Sequence, residues 1–217
     1  MISTRNLEAL PSISELRRIM QSLAMLDAII EEEWESRSFS FNASWSKTEE
    51  MGSMRNGSGD DLFAVFCETG CFLRGFDHES AMSPWYQKPP KIWLGILENI
   101  PTEFSKLLVE PALHMEDTTY CIWRRANEPQ WSRGTIQFAD GADPDGSEWM
   151  LSRFDGSAEA YVAYALEYFE VVVPSAAVDA VFRHEPLSSQ LLKMFPSSRD
   201  LSGLLADATE IGYGVGF

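Results

Sequence analysis

The stretch "FDHES" sets His78 between two carboxylates, Asp77 and Glu79. An imidazole beside carboxylates gains proton affinity and can act as a general base or as a metal ligand. In an extended segment alternate residues face opposite ways, so His78 shares a face with neither neighbouring acid and can equally be a surface loop histidine. A second histidine, His114, stands close to Glu116 and Asp117 in "LHMEDTTY". If that segment is extended, His114 and Glu116 share a face, and with His78 they would offer a metal a mixed nitrogen and oxygen ligand set. "RNGSGDD" places Arg55, Asp60 and Asp61 around a glycine-rich turn. It lacks the lysine of a phosphate loop and feeds no helix, so it reads as a polar cluster at a hairpin end. Arg55, Asp60, Asp61, Asp77, His78, Glu79, His114 and Glu116 therefore form one candidate polar cluster at one end of a sheet. No catalytic role is assigned to any of them.

Other motifs carry less chemistry. Cys67 and Cys71 form a C-x3-C pair at the ends of facing strands, which is half a zinc site with no second pair following. Cys121 lies inside an apolar run and is expected to be buried. "DGADPDGSE" resembles a calcium loop only in part. With Gly146 at the turn position, Asp143 and Asp145 fall on ligand positions, but Gly141 and Ser152 fall where ligands are required. An acidic turn before a helix accounts for it. Neither a metal nor a cofactor is expected.

The charge is the unusual bulk property. Seventeen basic residues against 33 acidic ones give a net charge of −16 over 217 residues, a surface that repels phosphate backbones. No basic patch offsets it, so nucleic acid is excluded as a partner. The acids cluster as Glu31, Glu32, Glu33 and Glu35, and again from Asp140 to Glu170, where Asp140, Asp143, Asp145 and Glu148 lead the run. These two faces could steer toward a basic protein. No window is long and apolar enough for a spanning helix, which argues against a membrane partner. The opening residues do not read as a signal peptide, and the odd cysteine count fits free thiols, so a cytoplasmic location is expected.

The elements that would position these residues follow from periodicity. Ser12 and Glu15 have the spacing of a capping box, and Leu16, Ile19, Leu23, Leu26 and Ile30 then mark one apolar face of a helix about five turns long, its charged face outward. "SFSFNASW" alternates as a half-buried strand. "EEMGSMR", "LFAVFC" and "CFLRGF" read as three more strands, the last two joined by a three-residue loop, "ETG". "IWLGILENI" and "TEFSKLLVE" read as short helices, "TTYCIWRR" and "WSRGTIQFA" as a fifth and a sixth strand. "SAEAYVAYALEYFEVV", capped by Ser157, is an amphipathic helix, followed by helices in "SAAVDAVFRH" and "SSQLLKMF". Strands in succession and then helices in succession indicate α+β. The expected architecture is an antiparallel sheet of about five to six strands with an N-terminal helix and C-terminal helices packed on it. A single domain over residues 1–217 is expected, with residues 1–10 and about 203–217 loosely held.

At "SMRNGSGDD", "GFDHES", "TTYCIWRR" and "DPDGSE" the chain resembles a group of uncharacterised bacterial proteins of about this length, and the likeness runs from the first helix to "HEPLSSQLL". That resemblance implies a bacterial cytoplasmic protein and supplies no activity and no residue roles. A small, acidic, tryptophan-rich α+β chain is also similar in style to immunity proteins that neutralise bacterial toxins. Two functions stay open. One is a non-enzymatic domain, immunity-like, whose acidic faces bind a basic protein; the other is an enzyme or a small-ligand or metal-binding protein using the polar cluster. The chain is expected as a monomer or homodimer.

Overall fold

Residues 1–216 are described by the computed structural model; Phe217, the last residue of the tail expected to be loose, lies outside the described residues. The chain is α+β. Six strands form an antiparallel sheet in sequence order: β1 (Phe39–Asn42), β2 (Glu49–Arg55), β3 (Asp61–Cys67), β4 (Gly70–Phe76), β5 (Tyr120–Arg125) and β6 (Ser132–Arg133). The helices are α1 (Ile13–Ile30), α2 (Ser147–Leu151), α3 (Ala158–Tyr168), α4 (Ser175–Phe182), α5 (Ser189–Leu192) and α6 (Leu201–Ile211). Contacts group the chain into two compact units, Met1–Ile13 with Met54–Ser152, and Ser14–Ser53 with Arg153–Phe217.

In the first unit β3, β4 and β5 pair in an unbroken antiparallel register, with Leu73 beside Ala64 on one side and Ile122 on the other. Every residue of β4 is buried, which is why its sequence lacks the polar alternation of a strand with one wet face. The β3–β4 loop is Glu68 and Thr69 alone, because Cys67 pairs with Gly70; the expected three-residue loop is one residue too long. Gly70 closes the turn with φ +146°, and a Cβ there would sit 2.1 Å from the Arg124 carbonyl oxygen. Cys71 pairs with Phe66, so Cys67 and Cys71 point to opposite faces of the sheet and cannot share a metal. Both are free thiols, and burial pushes the Cys71 thiol well up.

Two elements differ from the sequence pattern. "IWLGILENI" forms turns rather than a helix, whereas the next segment forms a 3₁₀ helix, Thr102–Val109. Gly95 has φ +91°, and its Cα lies so close to the chain at Thr135 that a Cβ would fall 2.1 Å from that carbonyl oxygen. Asn99 also adopts positive φ, 62°, so the backbone leaves helical space twice. The sixth strand is only two residues long, Ser132 and Arg133. Residues 1–10, expected to be loose, include buried Thr4, whose hydroxyl donates to an Asp145 carboxylate oxygen at 2.5 Å.

In the second unit α1 is buried all round from Met20 to Ile29, not along one stripe with a charged back. Its polar residues are satisfied internally, as burial requires. Gln21 donates to the Ile211 carbonyl at 2.9 Å, and the Ser22 hydroxyl to that of Val181 at 3.1 Å. Asp27 accepts from the Ser38 and Phe39 amides at 2.9 Å each and from the Tyr161 hydroxyl at 2.8 Å. The Ser157 hydroxyl caps α3 by accepting from the Ala160 amide at 3.2 Å, as its position predicts. The segment from about residue 203, expected as a loose tail, carries α6. Asp200 caps it by accepting from the Gly203 amide at 2.9 Å, and Gly212 ends it at φ 70°.

Candidate functional site

Two loops of the first unit meet beside the paired strands. After β2, Asn56 folds the chain into a tight turn, its side-chain oxygen accepting from the Ser58 amide at 2.9 Å and the Asp60 amide at 3.1 Å. Its side-chain nitrogen donates to Asp60 Oδ2 at 2.5 Å. After β4, Asp77 turns the chain again: its Oδ1 accepts from the Glu79 amide at 2.8 Å and the Ser80 amide at 3.0 Å. Asp77 Oδ2 accepts from Trp149 Nε1 at 2.9 Å. His78 then bridges the loops, its amide donating to Asp60 Oδ1 at 2.8 Å and its Nδ1 lying 2.7 Å from the same oxygen. The hydrogen bond to Asp60 raises the His78 pKa above its ordinary value, with the charges of Asp60, Glu79 and Asp77 adding to it. One ligand atom from each of Asp60, Asp77 and His78 lies within 4.8 Å of the others. Asp60 is buried while His78 is exposed, so the group is anchored inside and open outside. Such a group can hold a proton on an oriented imidazole or accept a cation in its place.

Asp61, the next residue, belongs elsewhere. It pairs with Phe76 across the sheet, and its carboxylate takes Arg74 Nη1. Arg74 is wholly buried. Its Nη2 donates to the His114 carbonyl at 2.8 Å and the Asp117 carbonyl at 3.2 Å, and its guanidinium lies 5.7 and 5.9 Å from the ring centres of Phe63 and Phe76. Burial raises the Asp61 carboxyl above its ordinary value, and the Arg74 guanidinium works against that rise. His114 and Glu116 are exposed, on two successive 3₁₀ turns, Pro111–Leu113 and Met115–Asp117, rather than on an extended segment, so the shared face expected of them does not form. His114 itself has φ 44°, which ends the first turn.

The eight candidates therefore do not converge as one cluster. Asp60, Asp77 and His78 form one group, and Asp61 with Arg74 and the His114 backbone another. Arg55 is exposed at the end of β2, Glu79 is exposed in the Asp77 turn, and Glu116 is exposed on its own turn. Sequence reasoning missed Arg74, Asn56 and Trp149. Only Arg74 had a signal, a lone cation inside an otherwise apolar strand, "CFLRGF".

The two acidic runs also differ. Asp145 is buried, and its carboxylate accepts from Thr4 and from the Ser147 amide. Asp143 accepts from the amides of Glu148 and Trp149 at 3.0 and 3.1 Å, so both carboxylates hold the entry to α2 rather than facing a partner. Asp140 is exposed; Glu148 is half-buried and lies 3.9 Å from Arg5. In the other unit Glu32, Glu33 and Glu35 are exposed and Glu31 half-buried on the chain leaving α1. Trp34 opens the 3₁₀ turn Trp34–Ser36 among them and is 43% exposed. Arg37 anchors that turn: its guanidinium donates to the Glu31 and Glu32 carbonyls at 2.9 and 2.8 Å and to Asp207 at 2.7 Å.

No family model, curated protein or solved structure matches the chain. No helix among the described residues is long and apolar enough to cross a membrane.

Proposed function

We propose that the chain is a non-enzymatic protein-binding domain, immunity-like in kind, that offers an acidic surface to a basic partner protein. The observation that carries this reading is the segment Glu31–Glu35. It sets an exposed tryptophan between exposed glutamates on a turn that Arg37 fixes to Asp207. Tryptophan anchors dominate interface energetics, and surrounding charge sets the encounter rate and the choice of partner. A turn already fixed loses little entropy on docking. The net charge of −16 favours approach of a cation over that of an acidic or phosphate-rich surface.

The test is affinity capture on the purified chain at low salt, followed by titration of the captured protein in pure form. The expected partner is basic, and its affinity falls at least about tenfold between roughly 50 and 500 mM salt. Trp34→Ala weakens it by about 2 kcal/mol, the threshold of an anchor residue. A triple variant, Glu32→Lys with Glu33→Lys and Glu35→Lys, slows association without changing the melting temperature by more than a few degrees. Affinity indifferent to salt and to both variants would sink the proposal.

A further inference from the structure

We propose that Asp60, Asp77 and His78 form a binding site for a first-row divalent transition metal ion. The three residues arrive from two loops, Asn56–Asp60 and Asp77–Ser80, and their ligand atoms already lie within 4.8 Å of one another. Ligand atoms bound to one ion at about 2.0–2.2 Å stand at most about 4.4 Å apart, and roughly 3.4 Å apart in tetrahedral geometry, so capture requires an inward movement of up to about 1.4 Å. His78 supplies it, since its side chain is 44% exposed and the least confined of the three. The two carboxylates are aimed from outside the set. Asn56 Nδ2 holds Asp60 Oδ2 at 2.5 Å, and Trp149 Nε1 holds Asp77 Oδ2 at 2.9 Å. Each of these two Oδ2 atoms keeps a further lone pair after accepting that one bond. Fixing carboxylate ligands by neighbouring donors is how metal sites orient their first ring of ligands.

The donor chemistry selects the ion. Two carboxylates with one imidazole suit zinc, manganese or iron(II) better than calcium, which takes six to eight oxygens. The two carboxylates match the charge of a divalent ion. Three protein ligands leave at least one coordination position, which faces outward with His78 and is open to water or an external donor. The bound ion would tie the β2–β3 loop to the chain leaving β4 and, through Trp149, to α2.

The experiment uses the full chain, stripped with chelator and titrated with Zn²⁺ by calorimetry, with Ca²⁺ as comparator. One equivalent of Zn²⁺ is expected to bind with a dissociation constant of about 10 μM or tighter. His78→Ala is expected to weaken it at least about tenfold, and Asn56→Ala by a similar factor through loss of orientation. His114→Ala is expected to leave it unchanged. Mn²⁺ added to the unaltered chain should broaden the His78 ring resonances before those of His114 and His184, a readout that needs no variant to fold. No binding, equal binding of Ca²⁺, binding indifferent to His78→Ala, or broadening centred on another histidine would each overturn the proposal.

Discussion

Asp27→Asn is expected to remove a large pH dependence from the stability of the second unit. Burial pushes the Asp27 carboxyl up to about 7 from an ordinary 3.8, against the lowering effect of the Phe39 amide, the Tyr161 hydroxyl, the Ser38 amide and Arg37. The folded-state value is raised, so the folded chain holds a proton that the unfolded chain releases between those two values. The stabilisation is therefore complete below about 3.8 and is lost as pH rises through about 7. A gap of about three units corresponds to on the order of 4 kcal/mol. Asparagine copies the protonated acid. Its carbonyl oxygen can take the two amides now bound to Oδ2, and its nitrogen can donate to the Tyr161 oxygen now facing Oδ1. Other carboxylates titrate in both chains, so the informative quantity is the difference between variant and parent. Urea unfolding from pH 4 to pH 8 should show that difference moving by roughly 4 kcal/mol in favour of the variant as pH rises. A flat difference would mean that Asp27 is ionised throughout, held by its three donors.

Asp27 also shows where the sequence speaks and where it is silent. The run "LAMLDAII" announces a helix, and its apolar spacing predicts one of the right length. A single aspartate inside it reads in the sequence as part of a polar face, whereas in the fold Asp27 is buried and satisfied internally. The partners themselves come from Ser38, Phe39 and Tyr161, up to 134 positions away, which no local pattern encodes. The strands were legible for the same local reason: β2 through β5 follow alternation or apolar runs bounded by turn residues. "IWLGILENI" was misleading because its helical spacing is real but Gly95 must approach Thr135, a long-range demand. At the candidate site the alternation argument did not apply, because Asp77–Ser80 is a turn rather than an extended segment and brings Asp77 and His78 into one group. That His78 joins Asp60 could not be foretold, because that depends on two loops closing side by side. Asp60 and Asp61 looked like one polar patch in one dimension, yet they engage different partners.

Breaking the Asp61–Arg74 pair from either side is expected to cost, summed over the two single variants, more than removing both partners together. Arg74 is wholly buried, and Asp61 is the carboxylate it engages among the described hydrogen bonds. Asp61→Asn leaves a buried guanidinium without that charge, with a cost of about 3 kcal/mol, the lower end for such a break because the Asp61 side chain is 22% exposed. Arg74→Met instead frees Asp61 to turn toward water but strips the donor from the His114 and Asp117 carbonyls. Its cost is about 2 kcal/mol. The double variant should cost less than the sum by at least about 1 kcal/mol, because neither charge is then left alone. Hydrogen exchange separates the two contributions. In Arg74→Met the amides of His114 and Asp117, which close the two 3₁₀ turns on Pro111 and His114, should lose protection. In Asp61→Asn they should keep it, since Arg74 still holds both carbonyls. Strict additivity, with unchanged exchange in both variants, would show that the pair is not coupled and that these turns stand without Arg74.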